Sequence, residues 1–330
     1  MLGSSAGITD AGRRRRRNED AYVREPPLFA IADGMGGAQA GEVASRLAAA
    51  VLEEATGDEL GEDRVRSLIQ EANRRVFQRS NEDAAASGMG TTMTVALVDV
   101  TDGTIAIGHV GDSRAYRVRN GELEQLTDDH SLVGELVRSG KLSPEEAETH
   151  PQRSVITRAL GTEPDVDVDT FTIQSAPGDL YLLCSDGLTS MVSDGGILSV
   201  LERSDDLDAI AHALVDAANA GGGEDNITCV LFRIEEGSGE ETVRMPAAAI
   251  PEPAQDDDDE DTLSGLDAVP AVDTAVIPAA GIQEHLQQAG EAPHAEPPQA
   301  VEPKRSIVPL ALLVVLVAAI AVLAIWGLSR

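Results

Sequence analysis

Four short acidic motifs lie scattered between residues 18 and 226 of this chain: Asn18-Glu19-Asp20, Asp33-Gly34-Met35-Gly36-Gly37, Ser185-Asp186-Gly187 and Asp225-Asn226. Bare carboxylates and glycine carbonyls are hard oxygen donors, suited to Mg²⁺ or Mn²⁺ rather than to zinc or copper. A single Asp-Gly pair makes a turn and nothing more. Here, however, Asp33 and Asp186 each directly follow an apolar, strand-like run and Asp225 directly precedes one, so sheet pairing would gather three carboxylates at one end. Left uncompensated, such a cluster repels itself and resists ionisation, a penalty that divalent cations remove. Glu19 and Asp20 add two carboxylates on an early strand, and Gly34 can expose its carbonyl because no side chain blocks close approach. The expected chemistry is metal-assisted hydrolysis.

Periodicity supplies the elements that must position these groups. Leu28 to Ala32 reads as a buried strand running into Asp33; Ala44, Leu47, Ala48, Val51 and Leu52 share one helix face, and Val65, Leu68, Ile69, Ala72 and Val76 share another. Two helices in tandem would cover one face of a sheet. Residues 92–98, 104–110, 115–119 and 122–126 alternate with period two, and Asn120-Gly121 predicts a type I′ hairpin between the last pair. Residues 131–150 read as polar helix, with a helix start at Ser143-Pro144-Glu145-Glu146, inserted over the sheet edge. Strands are expected at 168–173, 180–184 and 227–234, with a helical apolar face over 207–218. Strand clusters interleaved with helix pairs, without βαβ alternation, predict an α+β fold.

Composition narrows the function classes. With 57 acidic against 25 basic residues and a formal net charge of −32, the whole chain is disfavoured as a nucleic-acid binder. The run Arg13 to Arg17 is the one basic candidate, but no aromatic stacking platform accompanies it. Cys184 and Cys229 sit in apolar surroundings and read as buried free thiols. Met1 to Asp10 has no apolar stretch, so a signal peptide is not expected. Residues 237–306, rich in Pro, Ala, Asp and Glu, read as a disordered linker. Ile307 to Leu328 carries no charge and is long enough to cross a hydrocarbon core of roughly 30 Å. Lys304 and Arg305 precede it and only Arg330 follows, which puts the N-terminal side in the cytoplasm. A single-pass anchor in the cell membrane is the expectation.

These motifs, in this order, together with Gly90-Thr91-Thr92, Gly108-His109-Val110-Gly111-Asp112-Ser113-Arg114 and Ile156-Thr157-Arg158-Ala159-Leu160-Gly161, resemble the bacterial type of the metal-dependent type 2C (PPM-type) family of serine/threonine protein phosphatases. The resemblance runs from Gly7 to about Glu235. It implies a four-layer α-β-β-α sandwich of two antiparallel sheets flanked by helices over residues 1–236, with a flap insertion at about 131–165. The 237–306 linker and a transmembrane helix at 307–328 would follow. It further implies that Asp33 bridges two Mn²⁺ or Mg²⁺ ions with the Gly34 carbonyl on one of them. Asp186 and Asp225 would complete one ion and Glu19 its neighbour, Asp20 would bind metal-held waters, and Asp112 would help to hold a third, weaker ion. Two such ions, at roughly 3.5–4 Å, activate a water for in-line attack on phosphorus without a protein nucleophile.

A guanidinium fork suits phosphate oxygens. The family spacing of Arg, two residues, then Asn-Glu-Asp selects Arg15, and strand alternation would put Arg13, Arg15 and Arg17 on one face. One departure stands out. Where some relatives carry a histidine resembling a general acid this chain has Met35, and a thioether cannot donate a proton. His109, His130 and His150 are candidates for that role only in principle, the first read as structural and the other two as bracketing and shaping the flap. The implied partners are phosphorylated proteins, including serine/threonine kinases and their substrates. A noncatalytic, metal-stabilised phosphoprotein-binding module is the rival reading, against which the intact carboxylate set argues.

Overall fold

Strand β3 (Leu28–Met35) shows why two sheets form: Leu28, Ala30 and Ala32 join one apolar cluster while Phe29 and Ile31 join another, so the strand is buried on both faces. The computed structural model describes residues 1–36, 40–57, 59–83 and 86–235, together with the backbone alone of 275–276. Besides β3, one sheet contains β2 (Asp20–Glu25), β4 (Gly90–Thr91), β5 (Met93–Asp99), β6 (Thr104–Val110) and β10 (Asp169–Gln174), in the order β10-β6-β5-β3-β2 with β4 on β3. The other runs β1-β12-β11-β7-β8, from β1 (Leu2–Asp10), β7 (Arg114–Arg119), β8 (Glu122–Gln125), β11 (Leu180–Cys184) and β12 (Ile227–Ile234). All the pairings within these two sheets are antiparallel.

The sheets meet through Phe29, Ile31, Ile107, Tyr181, Leu183 and Phe232. Phe232 is stacked between Phe29, at 4.3 Å between ring centroids, and Tyr181, at 5.0 Å. Helices α1 (Ala40–Glu53) and α2 (Glu62–Glu82) cover the outer face of the β3 sheet with Ala44, Ala48, Leu52, Val65, Ile69 and Val76. The opposite outer face is covered by α5 (Asp186–Thr189), α6 (Asp194–Leu201) and α7 (Leu207–Gly221), through Leu188, Ile197, Leu201, Ile210 and Leu214. The hairpin turn has φ of 55° at Asn120 and 77° at Gly121, the left-handed pair that a type I′ turn requires.

The flap consists of α3 (Leu132–Arg138), α4 (Pro144–Glu148) and β9 (Val155–Ile156). Ser143 caps α4 in a capping box with Glu146. The isolated bridge Ser131↔Ile156 closes the flap on itself, and Thr91↔Leu160 fastens it to the body. A two-residue strand, β13 (Ala275–Val276), pairs parallel with β9. Among the described residues no helix is long and apolar enough to cross a membrane, and the expected 307–328 span lies outside them, as does the 237–306 linker apart from β13. Cys184 and Cys229 are buried free thiols.

A buried polar seam links β5, β6 and the flap. His109 Nδ1 lies 2.9 Å from Thr94 Oγ1, its Nε2 lies 3.1 Å from the Asp128 carbonyl oxygen, and its ring lies 4.7 Å from that of His130. Burial, then the neighbouring His130, pushes His109 down to about 3, against the pull of Asp169. A histidine whose folded pKa lies below its unfolded value binds fewer protons when folded. Its contribution is therefore complete above pH 6.5 and is lost as pH falls toward 3. Each pH unit in that window costs at most about 1.4 kcal/mol. Urea midpoints measured from pH 7 to pH 5 should fall more steeply for the wild type than for His109→Asn.

Candidate active site

The carboxylates converge because strand register leaves no alternative. Asp20 and Asp33 are direct partners across β2 and β3, while the pairing Cys184↔Cys229 brings Asp186, just past β11, beside Asp225, just before β12. Asp33 is fixed through its backbone: its N–H donates to Thr92 Oγ1 at 3.0 Å, and its carbonyl accepts from Thr92 N–H at 2.9 Å and Thr91 Oγ1 at 2.8 Å. Thr92 Oγ1 lies 2.8 Å from Ser113 Oγ, which ties Asp33 to the turn carrying Asp112. Asp20 is 8 % exposed, and its Oδ2 accepts from Ser185 Oγ at 2.9 Å and Thr228 Oγ1 at 2.6 Å. Its other oxygen, Oδ1, is buried without a hydrogen-bond partner.

Glu19 and Gly34 form an oxygen-lined cradle. The Glu19 carbonyl accepts from Gly34 N–H at 3.2 Å and Ser45 Oγ at 2.5 Å, which holds this segment against β3 and α1. A Cβ added at Gly41, in the first turn of α1, would stand 2.5 Å from Glu19 Oε2 and 2.9 Å from the Gly34 carbonyl oxygen, so both oxygens face the same small space. A Cβ at Gly34 would lie 2.2 Å from the Gly41 carbonyl oxygen, which restricts this position to glycine.

The electrostatics are those of crowded anions. Burial lifts Asp20 to about 6 despite its two hydroxyl donors, with Asp225 adding to the rise. Burial and then Asp129 lift Asp112 to about 7, with Arg114 opposing. Asp33 is held well above the usual range by loss of hydration and then by Asp20, Asp186, Asp225 and Asp112; Asp186 is raised in the same way, by burial and then by Asp112, Asp225 and Asp20. Glu19 is raised by burial, with Arg15 opposing. A cluster in which Glu19, Asp20, Asp33, Asp112 and Asp186 each resist their own charge is suited to a divalent cation.

The orphaned Asp20 oxygen, the two-oxygen cradle and the mutual repulsion all fit Mg²⁺ or Mn²⁺. Among the described residues no group of three or more His, Cys, Asp or Glu side chains is arranged to hold a metal ion by itself. Ions that complete their shell with backbone carbonyls and retained waters do not need one.

Arg15 is the half-buried member of its run; Arg13, Arg14, Arg16 and Arg17 are exposed. Its Nη2 donates to Asp225 Oδ2 at 2.8 Å. The expectation that Arg13, Arg15 and Arg17 share a strand face does not hold, because residues 11–19 form turns and not a strand. The Arg13 and Arg14 N–H groups both donate to the Gly223 carbonyl, at 2.7 and 3.1 Å, which bends the segment. Met35 is buried with Ile156 and Ala159 of the flap. The histidines are engaged elsewhere: His130 Nδ1 accepts from Gly111 N–H at 3.0 Å and its Nε2 lies 3.0 Å from Asp169, while His150 Nδ1 accepts from Gln152 N–H at 3.2 Å. Thr92 holds the backbone of Asp33, and Ser185, Thr228 and Asn226 hold the carboxylates of Asp20 and Asp225, roles that residue type alone does not announce. Ser185 and Asn226 carry the signal of standing next to an aspartate, whereas Thr92 and Thr228 carry none.

Comparison with known proteins agrees with this geometry. The family model for protein phosphatase 2C matches residues 11–230. The serine/threonine phosphatase stp of Listeria monocytogenes is 41 % identical over 236 residues, 68 % of this chain and 92 % of that protein. The serine/threonine protein phosphatase PstP of Mycobacterium tuberculosis is 38 % identical over 298 residues, 89 % of this chain and 54 % of that one. The crystal structure of M. tuberculosis PstP/Ppp superposes with a TM-score of 0.68 at 39 % identity, covering 72 % of this chain and all of that one. A second structure, the PstP catalytic domain in complex with two manganese ions, gives a TM-score of 0.64 at 37 % identity over 71 % and 99 % of the two chains. With its fold, its carboxylate cluster and these matches in agreement, the chain belongs to the protein phosphatase 2C family, the metal-dependent serine/threonine protein phosphatases.

Proposed function

We propose that this protein is a membrane-anchored phosphatase that removes phosphate from phosphoserine and phosphothreonine of proteins, at a centre formed by Asp33, Gly34, Asp186, Asp225 and Glu19 with Asp20 and Asp112 in support. The observation that carries this reading is the convergence of carboxylates from four separate motifs on Asp33. The manganese-loaded relative supports Mn²⁺ or Mg²⁺ as the natural occupants. Bound there, two divalent cations supply charge neutralisation and the Lewis acidity that lets water act as nucleophile near neutral pH. Asp33, Asp186, Asp225 and Glu19 hold that charge in place, with the Gly34 carbonyl as a neutral ligand. Asp112 is suited to a third, weaker ion. Asp20, with Oδ2 fixed by two hydroxyls, offers Oδ1 to a water and orients it.

Arg15 binds the substrate phosphate. Its guanidinium already lies beside a carboxylate of the cluster, so a phosphate entering there finds a planar fork at the right edge. Met35, packed under the flap, offers no proton, and the leaving hydroxyl takes its proton from water. For Arg15→Ala, KM for a phosphothreonine peptide should rise about tenfold with kcat partly retained. Steady-state hydrolysis of that peptide, beside a phosphotyrosine peptide, checks both the residue and the substrate class. The same defect in Arg17→Ala instead would shift the register of the arginine run, and preference for phosphotyrosine would refute the substrate class.

The charge-free segment 307–328, preceded by Lys304 and Arg305, supports a single-pass anchor with the catalytic part in the cytoplasm. The 237–306 segment, read from its composition as a linker, would join that part to the anchor. Serine/threonine kinases and their targets near the membrane are the substrates this arrangement suits. The full chain should stay with the membrane fraction in alkaline carbonate; its extraction would refute the anchor.

A further inference from the structure

We infer that Asn226 is a positioning residue that locks the arginine loop onto the carboxylate centre; the inference rests on the phosphatase reading above and deepens it. Asn226 is 4 % exposed, and every hydrogen-bonding atom of its side chain is used. Its Nδ2 donates to the Ala11 carbonyl at 3.1 Å and to the Arg17 carbonyl at 2.9 Å, while its Oδ1 accepts from Glu19 N–H at 2.8 Å. One buried amide thus pins both ends of the segment that carries Arg15 and also the residue that carries the Glu19 carboxylate. The partners fix its orientation, since two carbonyls demand the NH₂ end and an N–H demands the oxygen.

The backbone of Asn226 reaches the other motifs. Its N–H donates to Asp225 Oδ1 at 2.8 Å, and Asp225 Oδ2 is the oxygen that receives Arg15 at 2.8 Å. Its carbonyl accepts from Ser185 Oγ at 3.3 Å, the same hydroxyl that holds Asp20. A Cβ added at Gly187 would lie 2.0 Å from that carbonyl oxygen, so Ser185-Asp186-Gly187 packs directly on it. Asn226 therefore touches the motifs of Glu19, Asp186 and Asp225 at once, and the separation between the phosphate-binding arginine and those carboxylates is set through it.

Asn226→Asp keeps the shape but turns two donors into an acceptor facing two carbonyl oxygens. In the metal-free full chain, amide hydrogen exchange of residues 11–19 should quicken by at least about tenfold in this variant, since those amides lose their clamp. Calorimetric titration with Mn²⁺ should show binding weakened by about tenfold or more, the range seen when a group that orients a metal ligand is removed. In a double-mutant cycle on the phosphothreonine peptide, Arg15→Ala should cost less than about threefold in kcat/KM when added to Asn226→Asp, against about tenfold alone. Should Asn226→Asp not fold, Asn226→Ala, which leaves space without repulsion, carries the same three readouts.

Unchanged exchange over residues 11–19, or an Arg15→Ala cost undiminished in the variant, overturns the inference while leaving the phosphatase reading intact. A wild type without metal-dependent turnover overturns the phosphatase reading, and exchange and Mn²⁺ binding then judge Asn226 by themselves.

Discussion

Asp33→Asn is expected to lower kcat for a phosphothreonine peptide by about 10³-fold or more while leaving the fold intact, and to make the metal-free protein more stable than the wild type. The loss follows from position. Asp33 is the carboxylate on which Asp20, Asp112, Asp186 and Asp225 all act, so no other can take its place. A 10³-fold loss corresponds to about 4 kcal/mol of transition-state stabilisation, within the range for removing one preorganised electrostatic partner from a water-poor site. The gain in stability follows from the same crowding, because an amide of equal size removes one charge that its neighbours repel. Its backbone bonds to Thr91 and Thr92 are untouched by the change. Loss of activity joined to a higher melting temperature is the signature of a site that trades stability for function. Circular dichroism melts in chelator, beside steady-state kinetics in Mn²⁺, check it; full activity in Asp33→Asn would move the centre elsewhere.

The second large effect is thermal. Mn²⁺ should raise the wild-type melting temperature in a saturable way, since it binds a preformed cluster that the unfolded chain lacks. At a hundredfold excess over Kd the stabilisation is about 2.7 kcal/mol. For a domain of this size that translates to roughly 5–10 °C. Asp33→Asn should retain less than about half of the shift, because its cluster holds one negative charge fewer and binds the cation more weakly. Differential scanning calorimetry at several Mn²⁺ concentrations separates this from a nonspecific salt effect, which Na⁺ at equal ionic strength would reproduce.

Much of this arrangement was legible in the sequence, for physical reasons that differ by element. The helix faces of α1 and α2 carry long 3.6-residue patterns, and Asn120-Gly121 admits few alternatives to a hairpin. β1 gives no strand signal of its own: Leu2–Asp10 is half-buried and rich in small polar residues, and it is held by pairing with β12 that no local pattern announces. The short helices α5 and α6 follow from tertiary packing of Leu188, Ile197 and Leu201 rather than from any periodicity a few residues can display. Strand alternation fails over the arginine run because its backbone is bent by Gly223 and Asn226, partners more than two hundred positions away. At the site, the motif aspartates were visible because their residue type and neighbours carry the chemistry. The hydroxyls and the amide that aim them were not, because a Thr, Ser or Asn gains its meaning only from what lies across the sheet.

Release of inorganic phosphate from a phosphothreonine peptide by the chelator-treated full chain, followed as Mn²⁺ is titrated in, decides whether these carboxylates form a hydrolytic metal centre. The centre described here predicts no turnover in chelator, a saturable rise as Mn²⁺ is added, and no such rise in Asp33→Asn. Phosphate release that is undiminished in chelator, or absent at every Mn²⁺ concentration, would contradict it.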